Sequence, residues 1–535
     1  MNSYPWDEWA DVVVVGFGAA GACAAIEAAE AGASVTVVDR FDGGGATALS
    51  GGVVYAGGGT AQQRAAGVVD TPEAMFAYLS REVGDAVSPA TLRRFCDGSA
   101  AMLAWLEERG VPFDASLCPY KTSYPTDRHY LYYSGNEASY ADTAPPAPRG
   151  HRAHGRGTSG RLLHNRLAAA AHDRGVRVHT QTSARRLLTD GGGRVVGIEC
   201  ATLKQAPAWA RFAHRALHRW SVKPGLYLPA LGRALHRPVA WLERRYARPL
   251  RVAARRGVVL AAGGFVMNRR MLAEHAPAYR GGLRLGTPGD DGTGIRLGTD
   301  LGAGTGHLDR VSIWRFLTPP AALLQGLLVD RAGERVCDES RYGAAIGEAV
   351  VRREGQRAWL LVDAEVLAEA RAQVPEQTLW FQRVQARWLL TFDRVSAPTL
   401  AAVAARAGVD PAGLAATVKA YHAAAEAGER DPAGKPADLV RPLARPPFSL
   451  IDCSVRPRPA QPAPMLTLGG LLVDEDTGGV RRAGGAILPG LYAAGRTAVG
   501  ICSNSYVSGL SLADCVFSGR RAGRHAALST EEAEC

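Results

Sequence analysis

Short apolar runs closed by glycine set the rhythm at both ends of the chain. Residues 11–15 (DVVVV) form one such run. Gly16-Phe17-Gly18-Ala19-Ala20-Gly21 follows, then an alanine-rich stretch to about Ala31 and a second run at 34–38 that ends on Asp39. Buried parallel strands read as continuous apolar runs, so the pattern predicts strand, tight turn, helix and strand. Residues 257–265 (GVVLAAGGF) and 490–496 (GLYAAGR) repeat the strand-then-glycine motif, and Ser511-Leu512-Ala513-Asp514 predicts a helix start. An alanine-rich helix is expected at 414–427, with Tyr421 and His422 used for packing. Residues 42–59 (DGGGATALSGGVVYAGGG) are too glycine-rich for helix or strand and fit a backbone wrapped closely round a ligand.

Residues 203–250 break this rhythm and read as an insertion. Trp209, Phe212, Ala213, Ala216, Leu217 and Trp220 recur at helical spacing, with Arg211, His214, Arg215, His218 and Arg219 on the other side. After a break at Lys223-Pro224-Gly225, Leu228, Leu231, Leu235, Leu242 and Tyr246 repeat the theme, interrupted by Pro238. Residues 201–256 hold thirteen Lys and Arg against one acid, Glu243, so this segment carries essentially the whole formal charge of +11. A Trp-bearing apolar face opposite an Arg-rich one is the composition of a helix lying in a membrane interface. A helical pair packed on the body with a solvated basic face has the same composition. Nucleic acid is a third partner that such charge attracts, but no RNA- or DNA-binding module accompanies it, and no nucleic-acid partner is expected.

With 535 residues, 47% of them hydrophobic, the chain is too apolar for intrinsic disorder and long enough for a large α/β body with a second lobe. Nine scattered cysteines without a C-x-x-C pair exclude a disulfide framework and a zinc ribbon, and favour a reducing compartment. No metal site is expected. His151 and His154 have no carboxylate or thiol neighbour in sequence and read as loop residues, and Asp290 and Asp291 read as turn formers. No apolar run is long enough to span a bilayer, and no basic segment precedes an apolar one at the N-terminus. The expected location is cytoplasmic, peripheral on the inner face of the cell membrane, with residues 203–250 as the contact.

The first glycine motif carries chemistry. Gly16 allows the turn, Gly18 lets the backbone approach a pyrophosphate, and Gly21 lets helix and strand pack closely. The helix N-terminus then faces the phosphates, and Asp39 can accept from a ribose hydroxyl. The strand–turn–helix–strand–acid order predicts a dinucleotide site, and the three further glycine-rich elements exceed what an NAD domain uses.

The GFGAAG start, the ALSGG loop, the VVLAAGGF strand and the C-terminal LYAAGR…SGLSLADCVFSGRRAG block resemble the FAD-dependent fumarate reductase / 3-ketosteroid dehydrogenase superfamily. The likeness covers nearly the whole chain except about residues 203–250. It implies an α/β fold: a Rossmann-like FAD-binding domain built from both ends of the chain (1–285 and 449–535), interrupted by the helical basic insertion (203–250), with an α+β capping, catalytic domain at 286–448. By the same resemblance Gly16, Gly18, Ala19, Ala20, Gly21, Asp39, Arg40, Thr47, Ser50, Gly51, Gly52, Ala184, Ala262, Gly263, Gly495, Arg496, Ser511 and Leu512 bind FAD. No His occupies the 46–52 loop where some members attach flavin covalently, so noncovalent FAD is expected.

The superfamily divides by substrate polarity. Dicarboxylate reductases carry a His before a T-M-G-G turn and an Arg shortly before the last glycine block. Here the turn is Met465-Leu466-Thr467-Leu468-Gly469-Gly470, without His, and the Arg position is Tyr506. Tyr506-Val507-Ser508-Gly509 instead resembles the Y-x-S-G of 3-ketosteroid Δ4-(5α)-dehydrogenases. The stretches Tyr133-Ser134-Gly135-Asn136-Glu137, 146–151 (PAPRGH) and Asp338-Glu339-Ser340-Arg341-Tyr342-Gly343 support that branch. The resemblance implies desaturation of a 3-oxosteroid between carbons 4 and 5. Tyr506 is the candidate base, assisted by Ser508 and Tyr342, backbone N–H groups near Gly509 polarise the ketone, and an external electron acceptor completes the cycle. The alternatives are a Δ1-dehydrogenase, a flavin-dependent reductase of another unsaturated small molecule, and a membrane-bound flavoprotein scaffold without catalysis.

Overall fold

The structure is a computed structural model that describes residues 4–428, 431–456 and 463–529. The eight cysteines within this range are free thiols, and Cys535 lies outside the described residues. Strand β1 (Glu8–Val15) leads into helix α1 (Ala19–Glu30) and strand β2 (Val35–Val38), in parallel register from Val12 opposite Val35 to Val15 opposite Val38. All four of these β2 residues and Val12–Val15 of β1 are buried, which is why the run is apolar without alternation. Strands β3 (Arg177–His179), β4 (Thr182–Thr189) and β5 (Val195–Thr202) follow. Next come helices α2 (Ala208–Tyr227) and α3 (Pro229–Tyr246), and strand β6 (Arg248–Leu260).

The capping region contributes strands β7 (Leu327–Val329) and β8 (Trp359–Val362), helix α4 (Trp380–Thr391), and strands β9 (Arg394–Ala397) and β10 (Phe448–Asp452). The C-terminal part adds β11 (Gly479–Arg481), β12 (Ile487–Ala493) and α5 (Leu510–Leu528). The main sheet runs β11-β12-β6-β1-β2-β3, with the antiparallel pair β4–β5 joined to β6. Both ends of the chain therefore share one sheet, and helices α1 and α5 lock them together. A Cβ at Gly523 would lie 2.1 Å from the Ala24 carbonyl oxygen, so only glycine allows the two helices to meet this closely.

The cap is a separate antiparallel sheet in the order β7-β8-β10-β9. Strand β10 pairs with β8 (Leu360 opposite Ile451), so the expected boundary at 448/449 falls at the start of a cap strand. At the other boundary, Gly294 packs against Thr497, and the first residues assigned to the cap lie on the dinucleotide domain.

Several local expectations are corrected. Residues 42–59 do contain regular structure, a short helix at Gly45–Leu49 and a strand at Val53–Tyr55. Glycines with positive φ at 43, 44 and 45 lead into the helix and Gly52 into the strand, so the stretches 46–49 and 53–55 that follow them are free of glycine and fold. The strand expected at 257–265 begins at Arg248 and ends at Leu260, and 261–265 forms the loop beyond it. Helix α2 runs through Pro224-Gly225 to Tyr227, and α3 runs through Pro238. Each proline forfeits one backbone hydrogen bond, and a seam of Ala210, Ala213, Leu217 and Leu242 holds the pair together.

The insertion also has a definite root. Thr202 of β5 stands opposite Arg248 of β6, so the helical pair replaces the turn of a β-hairpin. His214 and His218, assigned from sequence to the cationic face, point inward. His214 is 1% exposed and makes hydrogen bonds with Gln181 (3.0 Å) and Glu243 (3.2 Å). The His218 ring stacks on Phe41 at 3.6 Å between centroids. Narrow packing along the Ala/Leu seam leaves Trp209, Phe212 and Trp220 in solvent.

Candidate functional site

Beyond the carboxyl ends of β1, β6 and β12 lies a cavity of about 1850 Å³, roofed by the cap. Small-molecule sites fill about 300–1,000 Å³, so this space has room for a dinucleotide and a second ligand together. Its two halves differ in chemistry.

At the β1–α1 turn, Gly16 has φ +100°, and a Cβ there would lie 2.5 Å from the Ala261 carbonyl oxygen. Gly18 lines the cavity at the start of α1, where a Cβ would touch Thr47 Oγ1 at 3.5 Å, and Ala19 donates its N–H to the same Oγ1 (3.0 Å). Asp39 accepts from the Phe17 N–H at one oxygen (2.8 Å) and the Phe41 N–H at the other (2.8 Å). The oxygen that meets Phe41 also accepts from the Gly43 N–H (3.3 Å), so the one that meets Phe17 keeps a further lone pair for a ribose hydroxyl. Ser50, Gly51, Ala184, Ala262 and Gly263 also line this half. Gly21, Gly52 and Gly495 do not reach the cavity. Gly21 packs on the Gly16 carbonyl and Gly52 on the start of the helix after Ser159. Gly495 gives its N–H to Ser518 Oγ.

Arg40 lines the cavity, but its guanidinium is committed elsewhere. It donates to both oxygens of Glu243 (2.9 Å each) and to Asp291 (3.1 Å), tying the inserted helices to the dinucleotide domain. Burial would raise the Glu243 carboxyl, yet hydrogen bonds from His214 and Arg40 hold it down to about 2. Burial, with His236, His214 and Arg40 nearby, pushes His218 down to about 3 and keeps it neutral. The insertion thus forms one wall of the cavity through Phe212, Arg215, His218 and Arg219.

Two observations test the fit of a flavin dinucleotide. Arg496 donates to Asp290 (2.7 Å), while its Nη1 is buried without a partner among the described residues. Helix α5 starts at the cavity behind Gly509, with no side-chain cap for its first amides, and Ser511 and Leu512 line the space. A buried cation and an uncapped helix start both await an electron-rich group. The residues present fit FAD.

The other half is apolar: Trp314, Phe316, Leu317, Leu323, Leu360 and Phe381 line it. Arg315 also reaches the lining, but its Nη2 donates to the Ser454 carbonyl (2.6 Å). At its inner end stand Tyr506, Tyr342, Ser508 and Gly509. The Tyr342 and Tyr506 rings are 6.2 Å apart, and Trp314 is 5.2 Å from Tyr506. Ser508 Oγ is 3.0 Å from the hydroxyl of Tyr132 and opposes the rise of the Tyr342 phenol. Burial first, then Cys502 and Tyr132, push the Tyr506 phenol up, with Arg496 and the Gly509 backbone opposing. All three phenols are neutral at rest.

The loop carrying Tyr506 is held from behind. Ser508 donates its N–H to the Ser134 carbonyl (3.1 Å), and Ser134 Oγ returns a bond to the Ser508 carbonyl (3.0 Å). Asn136 Oδ1 accepts from the Tyr342 N–H (2.7 Å) and its amide donates to Glu82 (2.6 Å). Gly509 at φ +92° turns into α5 where a Cβ would meet the Tyr55 amide at 2.7 Å. Sequence reasoning missed Tyr132 and Asp290. Tyr132 precedes the noted Tyr133–Glu137 stretch, and Asp290 looks like a turn residue until Arg496 is placed beside it. His151 is buried in a strand (Gly150–Arg152) and bonded to Thr60 Oγ1 (2.9 Å), not in a loop. Among the described residues no cluster of His, Cys, Asp and Glu suits a metal ion.

The chain matches the FAD binding domain family over residues 11–511. It is 39% identical over 504 residues to a 3-oxo-5-alpha-steroid 4-dehydrogenase of Comamonas testosteroni, covering 92% of this chain and 93% of that one. It is 28% identical over 575 residues to a 3-oxosteroid 1-dehydrogenase of Mycobacterium tuberculosis, covering 93% and 94%. Among solved structures, the 3-ketosteroid-delta4-(5alpha)-dehydrogenase of Rhodococcus jostii RHA1 in complex with 4-androstene-3,17-dione superposes with a TM-score of 0.81, at 32% identity and 98% coverage of both chains.

Proposed function

The chain belongs to the FAD binding domain family, on the branch that holds the 3-ketosteroid dehydrogenases and fumarate reductases, and from that membership we propose that it is an FAD-dependent dehydrogenase that introduces the carbon 4–carbon 5 double bond into ring A of a 3-oxosteroid. The observation that carries the reading is the Tyr506–Ser508–Tyr342 group at the end of an apolar cavity, where dicarboxylate enzymes place a carboxylate-binding Arg. An uncharged, flat molecule matches such a lining, while a diacid would be desolvated there without a partner.

When bound, held by the glycine turn, Asp39, Arg496 and the first turn of α5, FAD supplies the acceptor for the carbon 5 hydrogen with its electron pair. The chain's own residues handle the rest. Trp314, Phe316 and Leu317 exclude water and fix the plane of the steroid. A backbone N–H near Gly509 donates to the ketone oxygen, which stabilises the charge that develops as the carbon 4 proton leaves. Tyr506 takes that proton. Because its phenol is neutral at rest, it passes its own O–H proton along the hydroxyls of Tyr342, Ser508 and Tyr132 as it does so; each takes one proton and gives up another, the last to solvent water, so the set ends neutral.

Anaerobic mixing of the FAD-loaded protein with a saturated 5α-3-oxosteroid is expected to bleach the flavin absorbance, and a 4-en-3-one to leave it oxidised. A flavin that stays yellow with the saturated ketone overturns the reading, and bleaching by the 4-en-3-one moves the chemistry to carbons 1 and 2. Tyr506→Phe is expected to slow the bleaching by about 10²–10⁴-fold with FAD still bound.

No helix among the described residues is long and apolar enough to cross a membrane. The basic insertion docks the protein on the inner membrane surface through Trp209, Phe212 and Trp220, all at least half exposed beside its arginines. An external electron acceptor reoxidises the flavin.

A further inference from the structure

The inserted helices are not alone at the cavity mouth. Helix α4 of the cap turns Phe381, Gln382, Gln385, Ala386 and Leu389 toward the cavity. The adjoining edge of the helix, one residue earlier at each turn, places Trp380, Val384 and Trp388 in solvent at intervals of four, continued by Phe392 just past the helix end. They are 77%, 65%, 49% and 67% exposed. Residues four apart share one face of a helix, so these four form a continuous ridge; the Trp388 and Phe392 rings are 4.8 Å apart. Single exposed apolar side chains are ordinary, but a contiguous exposed ridge marks a contact surface.

The charges around the ridge select its partner. Residues 379–392 contain Arg383 and Arg387 and no acid. Across the same cavity, α2 presents Phe212 (74% exposed) and Trp220 (68%) with Arg215 and Arg219. Two helices from different parts of the fold thus frame one opening, each bearing exposed aromatics beside arginines. Apolar side chains enter the acyl boundary while guanidinium groups meet anionic headgroups. A second copy of the chain would bring like-charged arginine faces together.

We propose that the ridge Trp380–Val384–Trp388–Phe392 is a lipid-contact surface for anionic membranes, and that together with the inserted helices it seats the cavity mouth in the bilayer interface. The lipid contact stands on the ridge itself. The corollary, that the substrate enters from lipid without crossing water, rests on the 3-oxosteroid reading above.

The test uses the full-length, FAD-loaded protein and sedimentation with vesicles of phosphatidylcholine alone or with phosphatidylglycerol. Wild type is expected to partition onto the phosphatidylglycerol vesicles. The triple variant Trp380→Ser, Trp388→Ser, Phe392→Ser is expected to lose about tenfold or more with the inserted helices intact. Because these side chains are exposed, its thermal unfolding is expected to match wild type. Flavin bleaching by steroid supplied from cyclodextrin is expected to be unchanged, while bleaching by steroid preloaded in vesicles slows. Unchanged partition of the variant overturns the proposal, as does equal binding to both vesicle types. A wild-type dimer that the variant converts to monomer on gel filtration also overturns it, in favour of a second copy. A Phe212→Ser, Trp220→Ser variant tests the insertion separately, and failure to bleach with cyclodextrin-supplied steroid rejects the 3-oxosteroid reading without touching the lipid contact.

Discussion

Asp514 is buried near the start of α5. One oxygen accepts from the Cys502 N–H (3.3 Å), and the other has no partner among the described residues. Burial raises its carboxyl to about 6. A carboxyl raised on folding gives stability that is complete below its unfolded value near 4 and lost as pH rises through 6. At pH 7.5 the charged form therefore costs about 3 kcal/mol. Asp514→Asn keeps a carbonyl for Cys502 and is expected to raise the denaturant midpoint at pH 7.5, with the gain vanishing near pH 4. An equal gain at both values would show that packing, not charge, sets the effect. The sequence offered Asp514 as part of a helix start, because nothing in the letters says that the helix end is sealed from water. The Tyr506–Ser508 pair was legible for the opposite reason: adjacent residues on one turn stay together in any fold. Tyr132, which is 376 positions away from Ser508 in the chain, needed the three-dimensional fold.

At the scale of elements, the inserted helices show how an amphipathic pattern misleads. Periodicity identified two helices but assigned the histidines to the solvated side, since histidine counts as polar whichever way it points. The fold turns His214 and His218 toward Arg40, Phe41 and Glu243 instead, and His236 of α3, which the sequence reading left unassigned, joins them. The insertion is therefore both a surface element and a wall of the dinucleotide half of the cavity. Glu243 is its fastening, with a side chain 10% exposed against 24% for Arg40. Removing one member of such a pair strands the other charge, which costs up to about 3–5 kcal/mol in a buried site and less here, where Arg40 meets water. Glu243→Ala is expected to speed proteolysis within residues 208–246 and to weaken FAD binding roughly tenfold, read by flavin fluorescence titration. The carboxyl is held low, so the stabilisation it gives is present above its unfolded value near 4.5 and is lost as pH falls toward 2. Wild type should therefore keep its advantage in mild acid and approach the variant's proteolysis rate only as the pH falls from 4 toward 2, read with an acid-active protease.

The whole molecule depends on closing a chain whose two ends build one domain. The sequence made this legible because the strand-then-glycine pattern near residue 11 is repeated near 257 and 490. The three are the parallel neighbours β1, β12 and β6. Legibility failed at the cap boundaries, where strands are short and pair across long loops. The closure rests on α1 against α5: Cβ atoms added at Gly519 and Gly523 would lie 2.4 Å and 2.1 Å from the carbonyl oxygens of Ala20 and Ala24. Backbone atoms on both sides cannot move aside as a side chain tip can, so a larger residue must push the helices apart. Since α1 begins at the glycine turn and α5 begins behind Gly509, that separation displaces both helix starts that face the cavity. Gly523→Val, three turns from the cavity end of α5, is expected to destabilise by about 1–3 kcal/mol or more and to weaken FAD binding although it touches no cavity residue. Loss of stability with unchanged FAD affinity would mean that the helix starts are fixed by the sheet alone.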